Sequence, residues 1–354
     1  MNTVAAPLRA HRALLLIVLP YAAVAAALTG RLPTPFEILN VVGGFIVALL
    51  IGPVLMLCGY VIYVMAMLRP ARLSHFLYQQ LCRYLGQGRL LRALPVLLLT
   101  PLFTASFTIV KAAIPRLHPY TWDSRLSAWD IALHGGHAPW LWLQPLLGHP
   151  WITCLLNFTY HLWFLLLYSV LYWQFLDIRR PQLRMQFLLS FVLSCIVLGS
   201  VVAVLFSSVG PCYYGHLYSS NPYAPLMAYL HTANQQLPVW ALPVQDMLWQ
   251  GYQSQGARGE LGISAMPSIH VATAMLMTLL GWRVNRATGI AFSLFAVLIM
   301  LGSIHLGWHY ALDGYVGAAG AALIWQLVGL ALGARRSAAP VPMHAAPAMN
   351  RLPS

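Results

Sequence analysis

The sequence predicts an all-α integral membrane protein of about eight transmembrane helices in one bundle, and three observations predict it. Of the 354 residues, 60% are hydrophobic and only 8% charged, about a third of the charge that covers a soluble domain. The mean hydropathy is +0.70. Apolar runs of roughly 20 residues, the length that crosses a bilayer, recur along the chain and are apolar almost all round. They are too long for the roughly 10-residue alternating segments of a membrane barrel. An ordinary cytosolic enzyme and a disordered protein are excluded. So is a nucleic-acid binder, because the net charge of +13 is spread too thinly to make a phosphate-binding patch.

The spans fall at about 12–30, 40–68, 93–114, 151–176, 187–209, 267–282, 288–304 and 310–332. The first follows Arg9 and Arg12 and lacks a small-residue cleavage site before Pro33, so it reads as a retained helix rather than a signal peptide. The second closes on the basic stretch 69–92, and the third carries Lys111, the only lysine, at its end. A long gap, 115–150, leads into the fourth span, and Asp177, Arg179, Arg180 and Arg184 separate the fourth from the fifth. A second long gap, 210–266, precedes the sixth; Arg283 and Arg286 divide the sixth from the seventh. After the eighth, residues 333–354 are rich in Ala, Pro and Arg and are expected to be a disordered cytoplasmic tail. The organisation is therefore 1–92, N-terminal helices and a cytoplasmic loop; 93–332, the main membrane domain; and 333–354, the tail.

Charge sets the orientation. Fifteen of the twenty Lys and Arg lie in the gaps 1–12, 69–92, 177–186, 283–287 and 333–354; Arg31, Lys111, Arg116, Arg125 and Arg258 lie in the alternate gaps, with six of the seven acids. The positive-inside rule then places both termini in the cytoplasm and the two long gaps outside. Those gaps hold Trp122, Trp140, Trp142, Trp240 and Trp249, which suit interfacial anchoring and are placed to roof a site on the outer face. The five cysteines show no metal-ligand spacing and read as small buried apolar side chains.

The informative residues are ionisable groups at the ends of the last three spans. Pro267-Ser268-Ile269-His270 runs straight into the sixth span; a Pro in the first turn suits a helix start, and the N–H groups there, with the Ser268 hydroxyl, form an anion cradle. Ser303-Ile304-His305-Leu306-Gly307-Trp308-His309-Tyr310-Ala311-Leu312-Asp313 leads into the last span. His309 and Asp313, four apart, are expected on one helix face, with Asp313 fixing the tautomer and leaving the other ring nitrogen basic. A nucleophile, an orienting carboxylate, a second histidine and an anion cradle suit phosphoryl transfer. Three ionisable groups at span ends favour function over structural hydrogen bonding. A metal site of His305, His309 and Asp313 is the rival, weakened by Gly307 within that stretch.

Pro267-Ser268-Ile269-His270 and His309-Tyr310-Ala311-Leu312-Asp313 resemble the second and third signature motifs of the type-2 phosphatidic-acid phosphatase superfamily. Gly210-Pro211-Cys212-Tyr213-Tyr214 is similar to the first motif of its inositol-phosphotransferase branch, the one containing fungal inositol-phosphorylceramide synthase. Lys111-Ala-Ala-Ile-Pro through Trp122-Asp123 and Asp130 also resembles that branch. The resemblance covers roughly residues 100–330 and implies the superfamily's helical core in the C-terminal half. It implies His309 as nucleophile, Asp313 as its partner and His270 as acid and base. The phosphatases carry an arginine six residues before the histidine of the third motif; here that position is Ser303, and no Lys or Arg lies in 187–257. The phosphate is then left to the helix N-terminus with Ser268, to Tyr213 and Tyr214, to His305 in part place of the missing arginine, or to outward cations such as Lys111, Arg116 and Arg258. Fewer fixed cations suit a phosphodiester monoanion better than a monoester dianion.

The expected function is a lipid phosphotransferase that moves a phospho-headgroup from a phospholipid to the hydroxyl of a lipid alcohol acceptor through a phosphohistidine. The site faces the extracytoplasmic side of a membrane, a bacterial inner membrane on this reading. No metal, organic cofactor or nucleic-acid partner is implied. The alternatives are a lipid phosphate phosphatase acting on phosphatidate or a polyprenyl phosphate, and a transporter or metal-binding membrane protein. Transport predicts ionisable groups near mid-membrane, whereas His270, His309 and Asp313 cluster at span ends.

Overall fold

A computed structural model describes residues 5–29, 57–86, 88–254 and 262–337, with isolated positions 43, 51 and 54. Every regular element among them is helical. The helices of eight residues or more are α1 (Arg12–Thr29), α2 (Leu73–Leu85), α3 (Arg89–Leu117), α4 (Asp123–Leu133), α5 (Pro139–Leu147), α6 (Pro150–Leu176), α7 (Pro181–Ile196), α8 (Ala224–Asn234), α9 (Ala241–Gln253), α10 (Ile269–Val284), α11 (Arg286–His305) and α12 (Ala311–Ser337). A π-helical segment, Val197–Val202, carries α7 on to Leu205.

Five of these segments are long and apolar enough to cross a membrane: Arg89–Leu117, Pro150–Leu176, Pro181–Leu205, Arg286–His305 and Ala311–Gly333. Three shorter apolar helices, Arg12–Leu28, Leu57–Leu68 and Ile269–Val284, coincide with the first span, part of the second and the sixth. Most of 40–56 lies outside the described residues, as does 338–354. The last helix runs on to Ser337, past the Gly333 at which the sequence puts the start of a tail.

The two long gaps are not plain loops. The first holds α4 and α5, and the second α8 and α9. At 9 to 13 residues these helices are too short to register as spans, and prolines in the first turns of α5 and α8 start them where a loop would be read. The cysteines also depart from expectation. Cys195 is buried and Cys154 and Cys212 are half-buried, but Cys58 and Cys82 are exposed.

Helix α10 is the centre of the bundle, packed by α11, α12, α7 and α6. Its Ala272, Ala274, Leu276, Met277 and Leu280 have no exposure. In a lipid setting such contacts act through close packing rather than escape from water, and small residues allow that approach. Helix α3 contains Pro95, Pro101 and Pro115, and its Thr100, Thr104, Ser106 and Thr108 hydroxyls each donate to the carbonyl four residues earlier, which satisfies these polar side chains inside an apolar helix. With α10 central, both of its neighbours at one end of the bundle, the start of α12 and the loop after α7, converge on its first turn.

Candidate active site

The third motif is built by the turn between α11 and α12. Gly307, at φ 73°, ends α11 in the left-handed conformation that favours glycine. The chain then doubles back, and the His309 N–H donates to Ser303 O at 3.1 Å. Asp313 is the third residue of α12, and its Oδ2 accepts the Tyr310 N–H at 3.0 Å, the acidic half of a capping box. His309 thus lies just before the helix, not on a shared helical face with Asp313 as the spacing suggests. The two still meet: His309 Nδ1 is 3.4 Å from Asp313 Oδ2, outside hydrogen-bond alignment, with Nδ1 and Asp313 Oδ1 buried and without a protein partner. Asp313 is fully buried and His309 nearly so.

Ser268 caps α10, its hydroxyl accepting the Val271 N–H at 3.4 Å and its own N–H donating to Asp313 O at 3.0 Å. The second and third motifs are therefore tied backbone to backbone. His270 follows, with ring centroids 6.2 Å from His309. Its walls come from α6: Tyr160 stacks on it at 4.6 Å, Trp163 lies at 4.1 Å, and Phe164 presents an edge at 6.1 Å. Trp163 is held by its indole N–H, which donates to Thr273 Oγ1 at 2.9 Å.

The first motif closes the arrangement. Ser208 O accepts the Ala265 N–H at 3.0 Å and Ser208 Oγ accepts the Met266 N–H at 3.2 Å, while the Cys212 N–H donates to Gly307 O at 2.8 Å. Gly210 has φ 92°, and a Cβ there would sit 2.6 Å from Trp308 O, so both conformation and space require glycine.

Two carboxylates in α4 lock these loops. Asp123 accepts the N–H groups of Val209 and Gly210 at 2.9 Å and the Tyr310 hydroxyl at 2.8 Å. Asp130 accepts the N–H groups of Ala311 and Leu312 at 3.1 and 2.9 Å, filling the start of α12 from another helix. Burial raises both carboxyls above their ordinary value, and the N–H donors pull the other way. In the sequence these two acids stand out only through the resemblance; their partners are 86 to 187 residues away, beyond any local spacing rule.

Of the residues expected to hold phosphate, Ser268 stands at the site as described. Lys111 lies half-buried in α3, and among the described residues no carboxylate pairs with it. His305 faces elsewhere: its Nε2 is 2.9 Å from Thr153 Oγ1, which also bonds Tyr229. The Tyr213 hydroxyl donates to Gln245 O at 3.0 Å, and the Tyr214 ring packs on Tyr218 and Tyr223. His270, His309, Asp313 and Ser268 are brought together; His305 and Tyr213 are engaged outside. Among the described residues no group of three His, Cys, Asp or Glu is placed to hold a metal ion.

The family model of the PAP2 superfamily matches residues 124–327, more than half of the chain and all three motif segments, with Lys111 and Asp123 just before its start. No curated protein and no solved structure matches the chain.

Proposed function

The chain belongs to the PAP2 superfamily, whose members act as phosphatases or phosphotransferases on phosphate esters, and from that premise we propose a membrane-embedded lipid phosphotransferase working through a phosphohistidine. The observation that carries this reading is the neighbouring pair His270 and His309, with ring centroids 6.2 Å apart, and Asp313 beside the His309 ring. Two imidazoles and a carboxylate in one buried cluster supply a nucleophile, its partner and an acid–base group.

In the proposed sequence His309 Nε2 attacks phosphorus and forms an N–P bond as the bond to the first lipid's oxygen breaks. His270 gives its proton to that oxygen, so the first lipid leaves as an alcohol. Asp313 stabilises the positive charge formed on the His309 ring. The acceptor lipid's hydroxyl then loses its proton to His270 and attacks phosphorus; the N–P bond breaks and His309 is restored. Water in place of the acceptor gives the phosphatase outcome. The transferase is favoured by Ser303, which stands where the phosphatases carry arginine. Less fixed positive charge suits a phosphodiester monoanion better than a monoester dianion. We further propose eight spans, cytoplasmic termini and a site on the extracytoplasmic face of a bacterial inner membrane, supported by the charge split of the sequence.

The test is purified full chain in detergent with a headgroup-labelled phospholipid, with and without lipid alcohols. A labelled lipid appearing only with acceptor is expected; free labelled headgroup phosphate regardless of acceptor would favour the phosphatase. Transient labelling of the protein should vanish in His309→Ala. A donor with a nitrophenolate leaving group, which needs no proton, should restore labelling to His270→Ala but not to His309→Ala.

A further inference from the structure

Tyr160 meets the second and third motif segments although it belongs to neither. Its ring, 5% exposed, stacks on His270 of the second motif. It runs parallel to Trp308 of the third, with centroids 6.4 Å apart and planes 6° apart. Gly302 makes room for it: a Cβ there would come within 3.3 Å of the Tyr160 ring. Two polar atoms on this stack, Tyr160 Oη and Trp308 Nε1, are buried without a protein partner.

Other buried aromatic donors around the site are matched, while His309 Nδ1, Ser207 Oγ and His305 Nδ1 share the unpartnered state of Tyr160 Oη and Trp308 Nε1. Trp163 Nε1 is held by Thr273, Tyr310 Oη by Asp123, Tyr223 Oη by Ser127 and Tyr213 Oη by Gln245 O. Buried donors are almost always matched in folded proteins, and an unmatched one calls for an explanation such as a ligand. The Tyr160 and Trp308 orphans adjoin the two histidines between which the phosphate is placed.

We propose that Tyr160 Oη and Trp308 Nε1 are phosphate-binding groups that donate hydrogen bonds to the non-bridging oxygens of a phosphodiester seated between His270 and His309. This rests on the phosphate-ester reading of the site. The two donors are neutral and take the place of guanidinium groups, which fits a substrate with a single negative charge. They also tie selectivity to a rigid aromatic stack rather than to flexible cations, so the anion is held by geometry more than by field strength.

The test uses orthovanadate as probe, with calorimetric binding and thermal unfolding of the full chain in detergent. Tyr160→Phe removes one hydroxyl that has no protein partner, so its melting temperature should equal or exceed that of wild type. Vanadate binding should weaken about tenfold to a hundredfold, the loss of one hydrogen bond to a charged group. Trp308→Phe should weaken binding similarly while keeping a ring in the stack. Wild-type vanadate affinity in both variants overturns the proposal and leaves the phosphate-ester reading standing. A fall in Tyr160→Phe melting temperature, with binding lost in proportion, also overturns it by making the hydroxyl structural. No vanadate binding by wild type overturns the proposal and the phosphate-ester reading together.

Discussion

Removing the Tyr310 hydroxyl should impair turnover far more than it impairs folding. That hydroxyl donates to Asp123 Oδ1 at 2.8 Å, the same carboxylate that holds Val209 and Gly210, and Tyr310 is the residue after His309. A buried hydrogen bond to a charged group contributes about 1.5–3 kcal/mol, so Tyr310→Phe should cost an amount in that range. Asp123→Asn keeps the shape but turns an amide N–H₂ toward at least one of three donors, which should cost about 2–4 kcal/mol. Burial already raises the Asp123 carboxyl, so relief of that desolvation offsets part of the loss. Because the two residues share one bond, the double variant should fall short of additivity by about 1 kcal/mol or more. Freed from Asp123, the Tyr310 segment shifts His309; a displacement of about 1 Å costs up to roughly 10²-fold in rate. Thermal unfolding of the four proteins and headgroup release by each would measure both quantities. Additive stabilities with wild-type turnover in Tyr310→Phe would refute the clamp.

Asp313→Asn should lower headgroup transfer by about 10²–10⁴-fold with the fold retained, read by turnover beside a melting curve. Gly210→Ala forces φ 92° on a residue with a Cβ and drives that atom to 2.6 Å from Trp308 O; a loss of about 1–3 kcal/mol should appear in thermal unfolding, with turnover abolished. At the other end of the bundle, His11 Nε2 accepts from Arg184 at 2.8 Å and its Nδ1 donates to Pro7 O. Burial, with Arg184 adding to it and Pro7 opposing, holds His11 below 6.5. The folded value is the lower one, so this stability is present above about pH 6.5 and is lost as pH falls through the folded value. The melting temperature should drop across that window, and His11→Gln should flatten the drop.

Spans were legible because a run of apolar residues carries its own signal. The helices flanking the site, α4, α5, α8 and α9, carried none: at 9 to 13 residues they are too short to cross a bilayer and pass for loop. The pair His309 and Asp313 was legible as a contact but not as a geometry. Four residues apart implies one helical face, whereas Gly307 ends α11 and lets Asp313 reach back to the Tyr310 N–H. His305 illustrates the opposite error, since its spacing from His309 matched a ligand pair while Thr153, 152 residues away, takes its ring nitrogen. Tyr160 gave no local signal at all, because an aromatic residue in an apolar helix is indistinguishable from core until its hydroxyl is seen to lack a partner.

On the proposed mechanism, the charges around the two helix starts would account for different roles of the two histidines. The start of α12 is closed: Asp130 takes the Ala311 and Leu312 N–H groups, and Asp313 takes that of Tyr310. Its positive end is neutralised and its carboxylates turn inward, so it repels an incoming phosphate and favours a cation, which is what His309 would become on forming the proposed phosphohistidine. The start of α10 is filled only in part, by Ser268 on Val271. There the helix dipole favours an anion, and the non-bridging oxygens belong on that side, near His270 and the neutral donors of Tyr160 and Trp308. Attack from the carboxylate side toward an anion held on the dipole side would make His309 the nucleophile, as proposed, with His270 serving the oxygen that departs. Exchanging the two roles would put the phosphoimidazolium at the positive end of α10, with no carboxylate among the described residues to balance it.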